Sequence, residues 1–375
     1  MRILHLHSTF NAGGKERRCA ALINRFGPGV SHTIVSAMPD ALGARTLIDP
    51  AVPVEFPADF PSLAGPLRVR RLRALARAMQ GFDLVLTYNW GAMDAAMAHA
   101  VFAPILRLPP LVHHEDGFHV DEAQRRNPRR NWYRRIALAR ASALVVCSAA
   151  LEQVALTDWA QPRGRIRRIP NGIRTADYGR KVRPDALPRI VKRKGERWLG
   201  TLANLRQVKN LPRLVRAFAA MPPEWQLVIL GEGPERQTIL AEAMKHRLED
   251  RVHLPGHVPD PAAAIGLFDL FALSSDSEQA PLSVIEAMAA GLAVASPAVG
   301  DVAEMVAAEN APYVVPAGDE AALGQALATL GMDEPLRRVV GEANRKRAQR
   351  EFDEAAMAER YGAVYAAAMG RVSFP

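Results

Sequence analysis

Cysteine is nearly absent from this chain: of 375 residues only Cys19 and Cys147 carry a thiol. Two cysteines build no disulfide framework, and neither sits in a Cys-x-x-Cys pair, so a reducing, cytoplasmic setting is expected. No run of about eighteen apolar residues escapes interruption by charge, which excludes a membrane-spanning helix. The opening Met1–Leu6 has too short an apolar run to read as a signal peptide. No Asp-x-Asp occurs anywhere. His5 with His7, like His113 with His114, shows no convincing set of partner ligands, so no metal or other cofactor is expected. Gly231-x-Gly233 follows an apolar run, but Arg236 stands where a dinucleotide fingerprint needs glycine or alanine. A nicotinamide enzyme is set aside on that ground.

What is present reads as an ordinary folded chain. Hydrophobic residues make up 49% and charged residues 23%, which removes disorder and collagen-like order from consideration. The length is too great for one compact core and suits two domains. The net charge of +9 is unevenly spread: residues 1–180 hold 25 Lys+Arg against 14 Asp+Glu, whereas the rest hold 23 against 25. The basic first half is therefore expected to face an anionic partner.

Short apolar runs alternate with helical spacing along both halves. Arg2–His7 reads as a strand, Asn11-Ala-Gly-Gly14 as a loop, and Ala20, Leu22, Ile23 and Phe26 as one helix face. Further strands are expected at 33–36, 83–87, 111–114 and 143–147, with helices at 67–79 and 92–102. Residues 180–197, with two prolines and eight basic residues, read as a linker. The alternation restarts with strands at 198–201, 227–230, 252–254, 270–273 and 292–295, and helices at 211–219, 235–247 and 282–290. Such βαβ units imply two doubly wound parallel-sheet domains of the α/β class. The expected division is 1–180, a linker at 181–197, 198–350, and a C-terminal helix at 351–375 packing back across the domains. That helix carries Phe352, Met357, Tyr361 and Tyr365 as an apolar stripe.

Ligands in open α/β sheets sit beyond the carboxyl ends of the strands. The densest such loop runs from Ser274 to Pro281, with Glu278 before the following helix and Glu286 inside it. Free amide groups and the helix dipole there suit a phosphate. Two carboxylates in this position serve either as a ligand clamp or as a capping acid and a solvated one. The segment Glu278-x7-Glu286 with Ala-Met-Ala-Ala-Gly291 resembles the signature of the retaining glycosyltransferase family 4, whose members have the GT-B architecture: two Rossmann-like domains facing a cleft. Other pieces occur in that family's order: Gly13-Gly14-Lys-Glu16, Ile169-Pro-Asn171-Gly172, Leu205–Asn210, Leu230–Pro234, Gly256-His-Val258 and Gly300–Glu304.

The resemblance implies a retaining, metal-independent hexosyltransferase that moves sugar from a nucleotide-diphosphate sugar to a glycan or lipid-linked glycan in bacterial envelope or exopolysaccharide synthesis. It implies that Glu278 contacts the donor sugar and Glu286 the ribose. The backbone of Ala280, Pro281, Leu282, Ser283 and Val284 would lie near sugar and phosphate. Lys209 would neutralise the diphosphate. Gly256, His257 and Val258 would meet the base, and Gly13, Gly14, Asn204 and Gly231 would complete the donor side. Arg206 is read as supplying a guanidinium displaced from its usual place, because Ala203-Asn204 stands where the family has Gly-Arg. The family's active-site histidine corresponds to a region reading His113-His114-Glu115-Asp116, and which of His113, His114 and Asp116 faces substrate stays open. A nucleotide-sugar epimerase and a catalytically inactive nucleotide-sugar-binding module are the rival functions.

Two basic segments remain. Residues 68–77 carry five arginines, including Arg70, Arg71, Arg73 and Arg77, and residues 125–135 carry six, including Arg129 and Arg130 beside Trp132. They read either as solvated helix faces or as an acceptor side that adheres to an anionic membrane from the cytoplasm. No nucleic-acid reading motif accompanies them.

Overall fold

The computed structural model describes every residue except 118–121, 123–125, 181 and 259. The chain forms two compact units, one comprising Met1–Asn171 with Ala355–Pro375 and the other Gly172–Glu354. This division falls earlier than position 180, and the segment 182–197 belongs to the second unit rather than standing between the two. Lys181, inside the expected linker, and Arg125, at the start of the second basic segment, lie outside the described residues.

The first unit runs β1 (Arg2–His7), α1 (Gly14–Phe26), β2 (Ser31–Ser36), β3 (Val54–Glu55), α2 (Val69–Met79), β4 (Leu84–Tyr88) and α3 (Met93–Leu106). It continues through β5 (Leu111–Glu115), α4 (Pro128–Ala137), β6 (Ala143–Val146), α5 (Ala149–Thr157) and β7 (Ile166–Arg168). Among the described residues these strands form one parallel sheet in the order β3-β2-β1-β4-β5-β6-β7. Strands covered on both faces are apolar throughout, which is why Leu84-Val-Leu86 reads as a continuous run rather than an alternation. Helix α2 buries Leu72, Leu75, Ala76 and Met79, the face its spacing predicts.

The second unit runs β8 (Arg197–Leu202), α6 (Leu211–Phe218), β9 (Trp225–Leu230), α7 (Arg236–Lys245), β10 (Val252–Gly256), α8 (Pro261–Ile265) and β11 (Leu270–Ala272). Then come α9 (Leu282–Ala289), β12 (Val294–Pro297), α10 (Val302–Met305), β13 (Val314–Val315), α11 (Glu320–Met332) and α12 (Glu334–Glu351). Its sheet order is β10-β9-β8-β11-β12-β13, again parallel. Separate apolar clusters cover the two faces, one around Phe218 and Trp225 and the other around Trp198 and Phe271. In each sheet the strand order reverses beside the unit's first strand, and that reversal opens a crevice at the carboxyl edge.

The expected C-terminal helix begins three residues later than Glu351, which instead ends α12. After α12 the chain leaves helical geometry, and α13 (Glu354–Ala368) begins. Asp353 forms a parallel bridge with Ile173 and accepts from Thr175 Oγ1 at 2.8 Å, while the Glu354 amide donates to the Ile173 carbonyl. A strand-like pairing there breaks the helix. Helix α13 returns to the first unit, where Met357, Tyr361 and Tyr365 join the core with Ile3, Leu86 and Val145.

Candidate active site

In the second unit, β8 and β11 flank the strand-order reversal, so the loops that follow them are neighbours. The loop after β8 passes through a short 3-10 turn, Gln207–Lys209, and Asn210 takes a left-handed conformation (φ 43°) before α6. Asparagine tolerates that region better than most side chains. The loop after β11 is fastened to this turn: the Asp276 amide donates to the Val208 carbonyl at 2.9 Å and Ser274 Oγ to the Lys209 carbonyl at 2.9 Å. The fastening carries Glu278 to Lys209. Lys209 Nζ lies 2.5 Å from Glu278 Oε1, which also accepts from Ser275 Oγ at 2.7 Å. Both side chains remain partly open to solvent, 24% for Lys209 and 11% for Glu278. Arg206 is exposed beside the turn, whereas Arg213 is committed to Asp276 at 2.8 Å.

Glycine shapes this rim at two places. Gly231, with φ 142°, carries the chain past the Ala203 carbonyl, where a Cβ would sit 1.9 Å away. Gly300, with φ 54°, lies under the Glu278 loop: an added Cβ would meet the Gln279 carbonyl oxygen at 2.4 Å and that of Glu278 at 2.6 Å. The Asp301 amide then donates to the Gln279 carbonyl at 2.8 Å, fixing the loop from below. Pro281 caps α9, whose first turn presents Leu282 and Ser283. Further along α9, Glu286 Oε1 accepts from the Tyr178 hydroxyl at 3.2 Å. Burial, reinforced by that carboxylate's charge, pushes the Tyr178 phenol well up, so it stays a donor. Asn204 and His257 are exposed, and Val258 and Ala280 pack partly against the Phe271 cluster.

In the first unit, Gly13 precedes α1 and Gly14 begins it. A Cβ on Gly13 would meet Glu16 Oε2 at 2.7 Å, and Glu16 is held by Lys15 at 2.5 Å. His113 and His114 point to opposite faces of β5 and are both buried, at 0% and 1% exposure. His113 Nδ1 meets Thr87 Oγ1 at 2.8 Å, and its Nε2 lies 3.6 Å from Glu115. His114 Nδ1 faces the Thr87 carbonyl at 3.2 Å and must donate there, so Nε2 accepts from the Tyr365 hydroxyl at 2.9 Å. Burial, aided by the Arg18 charge, pushes the His114 imidazole down to about 3, and it is neutral at physiological pH. Asp116, at the strand end, is bound bidentately by Arg18, with Nη2 to Oδ2 at 2.8 Å. Arg18 also donates to Asn171 Oδ1 at 3.1 Å and stacks over Tyr361. Burial would raise the Asp116 carboxyl, but the Arg18 charge and hydrogen bonds outweigh it and hold it below the usual range.

Comparison with known proteins matches both halves. A family model described as Glycosyltransferase Family 4 matches residues 12–177, and one described as Glycosyl transferases group 1 matches residues 182–347. The chain belongs to the group 1 glycosyltransferases. Among curated relatives, N-acetyl-alpha-D-glucosaminyl L-malate synthase of Bacillus anthracis is 31% identical over 172 residues, 45% of each chain. The Campylobacter jejuni N-acetylgalactosamine-N,N'-diacetylbacillosaminyl-diphospho-undecaprenol 4-alpha-N-acetylgalactosaminyltransferase is 27% identical over 164 residues, 44% of this chain and 45% of the relative. The chain thus matches less than half the length of these relatives. The fold is GT-B. Anabaena Alr3699/HepE, solved in complex with UDP, superposes with a TM-score of 0.78 at 20% identity, covering 96% of this chain and 98% of its own. WaaG, a glycosyltransferase involved in lipopolysaccharide biosynthesis, gives 0.72 at 16% identity, with 97% and 99% covered.

In this glycosyltransferase the basic segments divide sharply. Arg70, Arg73 and Arg77 are exposed on α2, beside exposed Leu67 and Val69. Arg71 is a correction: it binds Asp94 and donates to the carbonyls of Leu63, Gly65 and Pro66, so it holds a turn rather than facing outward. Arg130 is likewise engaged, 3.0 Å from Glu122 and stacked over Trp90, whereas Arg129 and Trp132 are exposed on α4. Among the described residues no helix is long and apolar enough to cross a membrane. The sequence reading missed Arg18 and Tyr178. Arg18 follows the Gly-Gly-Lys-Glu stretch closely, and its place on α1 was the available signal. Tyr178 carried none, because its partner lies 108 residues away.

Proposed function

We propose that this glycosyltransferase moves a glycosyl group from a nucleoside-diphosphate sugar to an acceptor hydroxyl, with retention at the anomeric carbon and with no divalent ion on the diphosphate. The observation that carries the reading is the Lys209–Glu278 pair at the strand-order reversal of the second unit. An ammonium has three N–H donors, and the Glu278 contact engages one of them. Lys209, with exposed Arg206, is thereby left to meet the charge that grows on the leaving diphosphate as its bond to the anomeric carbon breaks. The acceptor oxygen bonds to that carbon, and its proton passes to the departing diphosphate oxygen. Glu278 accepts hydroxyls of the donor sugar, and Glu286 accepts vicinal hydroxyls of the ribose, oriented by Tyr178. The α9 amides, with the helix dipole, favour the phosphates.

Uridine nucleotides are the donors to try first, because structural neighbours of the same fold are solved with UDP and UDP-glucose. Incubation with UDP-sugars and a polyprenyl-diphosphate glycan is the direct test: product formation in the presence of a chelator supports the reading. Conversion of the donor to an epimer without acceptor would point instead to isomerisation. Replacing Glu286 with alanine is expected to weaken nucleotide binding by roughly 1.5–3 kcal/mol, the worth of a charge-assisted hydrogen bond. Isothermal titration with UDP measures it, and unchanged affinity removes Glu286 from the ribose.

The acceptor is proposed to be lipid-linked and met at the cytoplasmic face of an anionic membrane. Each exposed basic residue near such a surface contributes about 1 kcal/mol, fading with salt. The triple change Arg70→Glu, Arg73→Glu and Arg77→Glu is therefore expected to abolish sedimentation with anionic liposomes at low salt while sparing nucleotide binding. Equal sedimentation of parent and variant would leave these arginines as a solvated face.

A further inference from the structure

The alternation of β1 places His5 and His7 on one face of the strand, and α1 covers that face with Cys19. All three are buried, at 3%, 0% and 1% exposure, where sheet–helix packing ordinarily takes aliphatic side chains. Cys19 Sγ lies 3.5 Å from His5 Nδ1 and 3.7 Å from His7 Nε2. The Tyr88 hydroxyl approaches from β4, 3.2 Å from His5 Nδ1 and 3.6 Å from Cys19 Sγ. A tetrahedral zinc with bonds of about 2.3 Å to sulfur and about 2.0–2.1 Å to nitrogen spaces S···N at about 3.5 Å and N···N at about 3.3 Å. The observed S···N separations match the first figure, and the ligand atoms of His5, His7 and Cys19 all lie within 4.8 Å of one another.

We propose that His5 Nδ1, His7 Nε2 and Cys19 Sγ bind a structural zinc ion in the core of the first unit, with the Tyr88 hydroxyl closing the fourth side. Mixed nitrogen and thiolate donors select zinc over magnesium or calcium, which take oxygen. The second layer of contacts is in place: His5 Nε2 meets His32 Nδ1 at 2.9 Å, and an N–H···N bond there leaves Nδ1 of His5 free for the ion. Binding exchanges the Cys19 thiol proton for the Zn–S bond, and the proton leaves to solvent. Because the ligands are buried, the ion enters during folding and exchanges slowly afterwards. The sequence reading expected no metal here because His5 and His7 showed no partner; Cys19 is brought to them only by the packing of α1 on β1. The site is separate from any ion on the donor diphosphate and does not rest on the sugar-transfer reading.

Elemental analysis of the full chain, expressed with zinc supplementation and dialysed against chelator, tests this. About one zinc per chain is expected in the parent and in Cys147→Ala, which removes the other buried thiol. Cys19→Ala and His7→Phe should lose the ion. Cys19→Ser preserves size and hydrogen bonding should the alanine variant fold poorly. Refolding the parent with cobalt should produce a thiolate-to-cobalt charge-transfer band that Cys19→Ser lacks. A metal-free parent that melts at the same temperature with and without zinc during refolding overturns the proposal. So does zinc retained equally by the Cys19 variants, which would place the ion elsewhere.

Discussion

Replacing Lys209 with alanine should lower turnover by roughly 10²–10³-fold, the effect of removing one preorganised group that meets developing charge. The loss should fall on kcat more than on the affinity for a neutral nucleoside, because the leaving oxygen becomes fully charged only as its bond breaks. The 2.5 Å contact makes Lys209 and Glu278 a coupled pair, so the two single changes should not add. Lys209→Ala leaves Glu278 with the Ser275 hydroxyl as a donor but without the lysine charge against it, so the bare carboxylate repels the phosphates. The double change Lys209→Ala with Glu278→Ala should therefore bind nucleotide better than Lys209→Ala alone. Single-turnover measurements with saturating donor read the chemical step, and titration with UDP reads binding. Turnover of Lys209→Ala at the parent rate would remove the diphosphate role from this residue. Arg206 is exposed beside the same turn, where solvent screens its charge, so its loss should act on the same step more weakly.

The largest effect on stability is expected at Arg18. Its side chain is 4% exposed and that of Asp116 is 14% exposed. Breaking a buried pair by removing one partner costs about 3–5 kcal/mol, because the other charge is left uncompensated. Arg18→Leu should destabilise the chain by that order, and adding Asp116→Leu should recover part of the loss. Denaturant titration of the parent, both singles and the double yields the coupling energy. The pH dependence has a definite sign. The Asp116 carboxyl is held below its ordinary value in the folded chain, so its contribution is fully present above the unfolded value of about 3.9. It is lost as pH falls through the lower, folded value. Melting temperature should therefore drop less steeply on acidification in Asp116→Asn than in the parent. Parallel acid curves would show that Asp116 carries no such linkage.

His114 bears on the same region in another way. Its imidazole is neutral, fully buried and fixed by Thr87 and Tyr365, so it cannot act as a cation toward an acceptor. Asp116, just after β5, is the group of that trio nearest solvent, and it is oriented by Arg18, which also donates to Asn171. An acceptor-side role in the first unit therefore falls to Asp116 in our proposal, and Asp116→Asn should cut transfer while sparing UDP affinity.

Much of the architecture was legible in the residues themselves. Parallel strands covered on both faces need unbroken apolar runs, and Leu84–Leu86, Leu111-Val112 and Leu227–Leu230 declare themselves by that alone. The loop between β11 and α9 was legible because polar residues, a proline and two spaced glutamates interrupt apolar periodicity at one point. Helix α2 announced its buried stripe by spacing. None of these readings needs a contact distant in sequence. The break before α13 was not legible, because what ends the helix is the pairing of Asp353 with Ile173, a partner nearly half the chain away.

The sequence by itself determined the alternating elements, the α/β class and the identity of the acidic loop, since hydrophobic period and turn chemistry are local properties. Tertiary structure alone decided which charges are available and which are spent. Arg71 and Arg77 are indistinguishable in a string of arginines, yet one holds a turn against Asp94 and the other faces solvent. Lys209 and Glu278 become a pair only because β8 and β11, separated in sequence by two strands, are neighbours in the sheet. Arg18, Asp116 and Asn171 follow β1, β5 and β7, each one strand removed from the next in the sheet: hydrogen bonds and ion pairs act over a few ångströms of space, and strand order, not residue number, sets which side chains come within that range.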